Sequence, residues 1–264
     1  MTKSVQIRDI KVESGDKVFG HIQVAETPTY TVYLPCGIIN GVNPGLTISI
    51  IGGLHPTEYC GMEAATRLFQ TISPNDVSGI LLIVPVVNMP GFQVGADHVN
   101  PLDGMNLNRI FPGDPMGSIS QRMIHVLFEE IMRLADVHVD LHSGEAIEAI
   151  PQYAIIPKTG SIIDNQSQTL ARIYAPQYNQ VHNQTGTSTH EAANRLNIPA
   201  ITAEAGGLGN YEEKDISFHL TGLTNVLKYL DFLPGNPTTL SSSPEIIRGL
   251  FLLEPHEAVY FIHR

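Results

Sequence analysis

The sequence predicts a layered α/β fold, and two observations carry this prediction. Short apolar runs alternate along the chain with segments whose apolar residues recur at helical spacing. The loops after three of these runs hold nearly all the residues of chemical interest, and open α/β sheets place their sites at the carboxyl ends of strands. We therefore predict three α/β/α layers around a mixed, mostly parallel sheet, with a site at one edge of that sheet.

The predicted elements follow one another from the N-terminus. Apolar segments rich in β-branched residues predict strands over 22–25, 29–34, 46–51, 80–87, 137–141 and 200–203. Apolar residues at helical spacing predict a helix around Met62 and further helices over 119–134, 162–175 and 225–232. A polar loop rich in Gly and Pro fills the region of 93–118.

We predict one main domain over residues 1–233, with N-terminal β strands within 1–45. Residues 234–245 are rich in Pro, Gly, Ser and Thr, a composition typical of a linker. Residues 246–264 are then the remnant, or the start, of a C-terminal β region.

The composition argues against two kinds of partner. No run of about 18 apolar residues is present, so no transmembrane helix is predicted, and charges stand where a signal peptide needs an apolar stretch. The net charge of −11 comes without a basic cluster, and phosphate binding needs clustered Lys and Arg. We therefore expect a cytoplasmic protein that binds neither membranes nor nucleic acid.

Three residues have the chemistry and the placement of a metal site. His55 and Glu58 follow the strand predicted over 46–51, and residues three apart share one face of a helical turn. His142 ends a segment in which polar and apolar residues alternate, which places His138, Asp140 and His142 on one face of a strand. Two His and one Glu form a standard catalytic zinc set. Two alternatives stay open: a capping Glu58 beside an exposed His55, and an edge strand with one wet face.

Four motifs at residues 52–58, 106–113, 140–144 and 204–207 resemble, in order and spacing, the succinylglutamate desuccinylase/aspartoacylase family. These proteins are relatives of the zinc carboxypeptidases, and the resemblance covers roughly residues 20–230. It implies the zinc carboxypeptidase-like fold, with one Zn²⁺ per chain held by His55, Glu58 and His142. It also implies that Glu204 is the general base. Without the resemblance, Glu204 would be interpreted as a surface residue beside a turn.

The resemblance further implies that Asn108 and Arg109 bind a carboxylate of a small-molecule substrate. The planar guanidinium of Arg makes a two-pronged contact with a carboxylate, which Lys cannot copy. The alternative for Arg109 is an ion pair within its own loop.

Several features depart from the family's pattern. Pro56 replaces a Gly, which a helix start tolerates. Asn106 stands where many relatives carry the Asp that orients a ligand histidine, and we expect Asp103 or Asp140 to take over that task. The Arg that stabilises an oxyanion in many relatives is missing, and His98 is the candidate donor in its place. Relatives also carry a C-terminal β domain that is expected to be largely missing here, which predicts an open pocket unless another subunit of a homo-oligomer covers it.

Three functions are compatible with these residues. The first is a zinc-dependent amidohydrolase that cleaves a linear amide bond and so removes an acyl group from a small N-acylated amino acid. The second is a zinc carboxypeptidase acting on peptides. The third is a metal-binding relative without activity, which Asn106 and the missing Arg favour and the intact Glu204 opposes.

Overall fold

The computed structural model describes residues 4–157, 160–182, 186–238 and 244–247. Its strands are, in chain order, β1 Val5–Ile7, β2 Ile10–Val12, β3 Asp16–Glu26, β4 Thr31–Asn40, β5 Asn43–Gly52, β6 Ser78–Val84, β7 Val137–His142, β8 Ala149–Pro157, β9 Tyr178–His182, β10 Ala200–Gly207 and β11 Glu245–Ile247. Its α-helices are α1 Tyr59–Thr71, α2 Met89–Val94, α3 Ile119–Glu130, α4 Ile162–Tyr174, α5 Thr189–Arg195 and α6 Glu213–Tyr229. Short 3₁₀ turns cover Pro74–Asp76, Leu107–Arg109 and Met132–Leu134.

Nine strands form one sheet in the order β11-β9-β8-β10-β7-β5-β6-β4-β3. Among the described residues, five of its eight pairings are parallel, including the central series β10-β7-β5-β6. The antiparallel pairings join β3 to β4, β4 to β6, and β8 to β10. The mixed, mostly parallel sheet that the sequence predicted is thereby confirmed.

Two apolar cores lie on opposite faces of this sheet. Neighbouring residues of β5 enter different cores, with Ile50 in one and Ile51 in the other, because successive strand residues point to opposite faces. The core around Ile51 includes Met123 of α3, and the core around Ile50 includes Leu68 of α1 and Leu223 of α6. Helices therefore cover both faces, which confirms the three predicted layers.

Several elements differ from the sequence-based expectation. The sequence reading missed β8, β9 and α5, and it began the last helix at 225 where α6 begins at Glu213. Polar residues at buried positions of α6, such as Asp215 and His219, break the apolar period on which that reading relied. β4 extends to Asn40 and includes Pro35, the residue just after the strand predicted over 29–34. Pro35 pairs only with β3, since pairing with β6 begins at Gly37, so no hydrogen bond to β6 requires its missing N–H.

The C-terminal part of the chain is described only in part. Of the predicted linker over 234–245, residues 239–243 lie outside the described residues, and so do residues 248–264 of the predicted β region over 246–264. Glu245–Ile247 form β11, which pairs in parallel with β9. Within the described ranges, no helix has both the length and the apolar character needed to cross a bilayer.

The contact between α1 and β7 depends on Gly61 and gives a test of the packing. A Cβ on Gly61 would lie 2.8 Å from Leu141 Cβ and 2.9 Å from the Leu141 carbonyl oxygen. Overpacking against such fixed atoms lies toward the upper end of about 1–3 kcal/mol, which exceeds the gain of about 1 kcal/mol from the higher helix propensity of Ala. We expect Gly61→Ala to lower the free energy of unfolding, measured by urea denaturation.

Gly160→Ala is the matched control, because no heavy atom lies within 4 Å of its added Cβ. Its free energy of unfolding should stay within about 0.5 kcal/mol of the wild-type value. A Gly61→Ala protein as stable as the wild type would contradict the packing described here.

Candidate functional site

The predicted metal ligands lie at the carboxyl ends of β5 and β7, which are neighbours in the centre of the sheet. His142 is the last residue of β7. His55 and Glu58 follow β5 in a turn that precedes α1, where the Glu58 N–H donates to the His55 carbonyl oxygen at 3.4 Å. Their spacing of three thus belongs to a turn before the helix and not to a turn of the helix itself.

The three side chains converge in the interior. Glu58 lies between the two imidazoles, with Oε1 2.6 Å from His55 Nδ1 and Oε2 2.7 Å from His142 Nδ1. All three residues are buried, and the Glu58 side chain makes no cap hydrogen bond to α1. This arrangement differs from both alternatives, since His55 is not exposed and β7 is an interior strand whose residues are all buried.

The hydrogen bonds of the two Nε2 atoms, which face away from Glu58, show that the cluster can bind a metal ion. His142 Nε2 donates to Asp140 Oδ2 at 2.9 Å, and His55 Nε2 donates to Asn106 Oδ1 at 3.3 Å. A neutral imidazole with its proton on Nε2 turns the lone pair of Nδ1 toward the Glu58 carboxylate. Lone pairs at such short separations repel one another unless a metal ion or a further proton lies between them. The donor set therefore fits a metal ion, and all its ligand atoms lie within 4.8 Å of one another.

The electrostatics of Glu58 and His142 show that the cluster attracts positive charge. Burial opposes the charged form of Glu58, but His142 and His55 lower the pKa of its carboxyl group to about 2. Burial likewise disfavours a charged His142, and the carboxylates of Asp140 and Glu58 nevertheless raise its pKa well above the ordinary value. The site thus holds a buried negative charge that needs positive charge beside it.

Of the residues predicted to orient the ligand histidines, two contact a candidate ligand and one does not. Asp140 contacts His142, and Asn106 contacts His55. Asp103 accepts hydrogen bonds from the Ser120 hydroxyl at 2.6 Å and from the Ser120 N–H at 2.9 Å. Asp103 therefore holds the start of α3, and no described hydrogen bond joins it to either candidate ligand, His55 or His142.

His98 lies directly beside the metal-ligand cluster. Its ring stacks on the His55 ring, with 4.7 Å between the centroids. His98 Nε2 lies 2.5 Å from Asn106 Nδ2, and His98 Nδ1 forms a short contact with Glu145 Oε1. Both ring nitrogens of His98 are therefore engaged by protein groups.

Glu204 lies on β10, the strand directly beside β7, which carries His142. The parallel register pairs Glu204 with His142, and the antiparallel register on the other side pairs it with Tyr153 of β8. Burial raises the pKa of the Glu204 carboxyl well above its ordinary value; His142 opposes this shift and Glu58 adds to it. Glu204 lines a pocket of about 610 Å³ together with the three candidate ligands.

Asn108 and Arg109 lie in the 3₁₀ turn at the wall of the same pocket. Asn108 is buried, and its Oδ1 accepts the Thr189 N–H at 3.0 Å. Arg109 is exposed, and its Nη1 donates to the Asn108 carbonyl oxygen at 2.8 Å. No carboxylate among the described residues pairs with Arg109, so the loop ion pair considered as an alternative is not found there.

The pocket residues that the sequence did not predict include Glu145, Tyr153 and Thr189. Thr189 begins α5 and donates its hydroxyl to Asp140 Oδ2. A signal for α5 was present, since Ser188 and Glu191 form the Ser-x-x-Glu capping box of a helix start.

Comparison with known proteins places these residues in a family. The family model described as the succinylglutamate desuccinylase/aspartoacylase catalytic domain matches residues 44–230. The chain belongs to this family. Family membership confirms the resemblance that the four sequence motifs carry, and relatives in this family are deacylases.

Individual members of the family show how far the similarity extends. N-alpha-acetyl-L-2,4-diaminobutyric acid deacetylase of Halomonas elongata is 39% identical over 108 residues, and the match spans 40% of this chain and 31% of that protein. A succinylglutamate desuccinylase/aspartoacylase structure from Rhodobacter sphaeroides superposes with a TM-score of 0.81 at 25% identity, covering 88% of this chain and 73% of the other. The product-bound ectoine utilization protein of Ruegeria pomeroyi has a TM-score of 0.82 at 24% identity, with 88% and 72% covered, and supports the fold alone.

The cluster predicts that the protein binds one divalent transition-metal ion per chain. We expect His55→Ala and His142→Ala each to weaken binding by at least about 100-fold, because loss of groups that merely support a ligand already costs 10–100-fold. Calorimetric titration of the metal-stripped protein measures the affinity.

His125→Ala, on α3 and outside the pocket lining, is the control and should bind metal as the wild type does. Retention of wild-type affinity in either ligand variant would exclude this assignment of the site.

Proposed function

We propose that the protein is a zinc-dependent amidohydrolase that removes the acyl group from a small N-acylated amino acid. The buried His55, Glu58 and His142 set, which shares a pocket with Glu204 and Arg109, is the observation that supports this function most. Two His and one Glu are a standard catalytic zinc set, which leaves a coordination position for water. The family's deacylases, among them the Halomonas elongata deacetylase, agree with a C–N bond as the bond that is cleaved.

In this proposal His55, Glu58 and His142 hold the zinc, and Glu204 handles the protons. When bound, zinc polarises the amide carbonyl and makes a water molecule more acidic. Glu204, on the strand next to His142, accepts the proton of the attacking water and passes it to the leaving nitrogen. Because Glu204 lines the same pocket as the candidate ligands, its carboxylate can both accept the water proton and deliver it to the leaving nitrogen.

Arg109 and Asn108 orient the substrate. The Arg109 guanidinium forms no ion pair with a described carboxylate, so it is available for a two-pronged contact with the carboxylate of the amino acid. Asn108 is fixed by Thr189 and therefore holds the neighbouring Arg109 at the wall of the pocket. The pocket of about 610 Å³ lies within the usual range of about 300–1,000 Å³ for small-molecule sites.

Glu204→Gln is expected to retain zinc and to lose most of its turnover. The amide keeps the shape of the side chain and removes the base, so kcat on the best substrate of an N-acyl amino acid panel should fall by about 10²-fold or more. Zinc affinity and kcat are measured on the same preparations. Glu129→Gln, which changes an exposed carboxylate paired with Arg133, should leave both unchanged. Near-wild-type turnover in Glu204→Gln would assign the base to another group.

Arg109→Lys should raise KM for N-acyl amino acids more than it lowers kcat. Charge-assisted hydrogen bonds contribute about 1.5–3 kcal/mol, which corresponds to roughly a 10–100-fold change in affinity. Steady-state kinetics on each acid and on its C-terminal carboxamide measure the effect, and the carboxamide should show no such change. Arg133→Lys, outside the pocket, is the control. An unchanged KM for the acids, or hydrolysis of peptides alone, would contradict the proposed substrate.

A further inference from the structure

The side chain of Asn106 lies between two imidazoles, and a backbone group determines which way it faces. The Asn108 N–H can only donate, and it donates to Asn106 Oδ1 at 2.8 Å. Oδ1 is thereby assigned, and Nδ2 is the atom that faces His98 Nε2 at 2.5 Å. His55 Nε2 lies 3.3 Å from the same Oδ1, which makes it a proton donor.

The same reasoning determines the proton position on His98. Because Asn106 Nδ2 can only donate, His98 Nε2 is the acceptor and the proton of the neutral ring lies on Nδ1. His98 Nδ1 then donates to Glu145 Oε1. The donors run in one direction, from His55 through Asn106 and His98 to the carboxylate of Glu145. Hydrogen bonds aligned in this way polarise one another.

The surroundings hold these groups in place. The His98 ring lies nearly parallel to the His55 ring, with an interplanar angle of 16°. Asp97, the residue before His98, accepts the Thr57 hydroxyl on its carbonyl oxygen at 3.1 Å and the Ala146 N–H on its Oδ1 at 3.4 Å. The segment that carries His98 is therefore tied to the loop of His55 and to the loop of Glu145.

We propose that Glu145, His98 and Asn106 are positioning residues that act on the metal ligand His55. In many relatives an Asp at the position of Asn106 orients a ligand histidine directly; here Glu145 supplies the negative charge from two hydrogen bonds further away. A carboxylate at the end of such a chain fixes the Nε2–H form of His55 and makes its Nδ1 a stronger ligand. His98 uses its single ring proton for Glu145, so it has none to donate to a substrate oxyanion.

This inference rests on the proposed metal site, and zinc affinity of the metal-stripped protein tests it. Glu145→Gln keeps the shape of the side chain and removes its charge, so affinity should fall by about 10-fold or more. Adding Asn106→Asp should restore the affinity, because the carboxylate then contacts His55 directly. Glu148→Gln is the matched control: it removes a carboxylate of the same pocket that has no hydrogen bond to His98, and it should change zinc affinity less than 2-fold.

The tautomer of His98, read from ¹⁵N NMR of its ring, is the second measurement and needs no metal. The wild-type protein should carry the proton on Nδ1. The double variant Glu145→Gln, Asn106→Asp should carry it on Nε2, since the new carboxylate at position 106 then accepts and the new amide at position 145 donates. A residue that only fills space would not move this proton. A wild-type His98 protonated on Nε2 would overturn the proposal.

Other outcomes separate this inference from the proposed function. Equal losses of zinc affinity in Glu145→Gln and Glu148→Gln would mean that the general charge of the pocket is responsible, and would overturn the proposed role of the hydrogen-bond chain. Two zinc ions per chain, one of them lost in Glu145→Gln, would overturn it as well, since His98 and Glu145 would then be ligands. If the wild type binds no zinc, the metal site is wrong, and the His98 tautomer decides the hydrogen-bond chain by itself.

Discussion

The structure around the site depends on one buried carboxylate, that of Glu58. A carboxylate away from water is costly unless positive charge and hydrogen-bond donors surround it. The described structure brings His55 and His142 to its two oxygens, and the Ser143 N–H donates to Oε2 at 3.2 Å. Only the parallel register of β5 beside β7 places the loop of His55 and the end of β7 at the same edge of the sheet.

Support for this arrangement continues behind the ligands. His219 of α6 donates from Nε2 to the His142 carbonyl oxygen at 3.1 Å, and the Tyr174 hydroxyl lies 2.9 Å from His219 Nδ1. Burial lowers the pKa of His219 to about 3, so its ring stays neutral while it bridges α6 and the end of β7. The end of β7 is thus held by the helix layer as well as by its neighbouring strands.

The sequence was informative where local pattern and chemistry coincide. Apolar runs that end in polar residues predicted the central strands, and the structure brings His55, Glu58, His142 and Glu204 to one pocket. It was uninformative where tertiary contacts decide. Glu145 reaches His98 across 47 residues of sequence, and no local periodicity indicates such a contact. Asp103 was expected to replace the orienting Asp of relatives, but both of its carboxylate oxygens accept hydrogen bonds from Ser120 at the start of α3.

Thr189 joins two parts of the site that are usually treated as separate. Its backbone N–H holds Asn108, the neighbour of the proposed substrate-binding residue Arg109, and its hydroxyl holds Asp140, which contacts the candidate metal ligand His142. Under the proposed function, variation at this position therefore acts on substrate selectivity and on metal retention together. Laboratory evolution toward a new acyl amino acid by changes near Asn108 would draw on the same residue that steadies His142, so selectivity and metal retention would have to be optimised together.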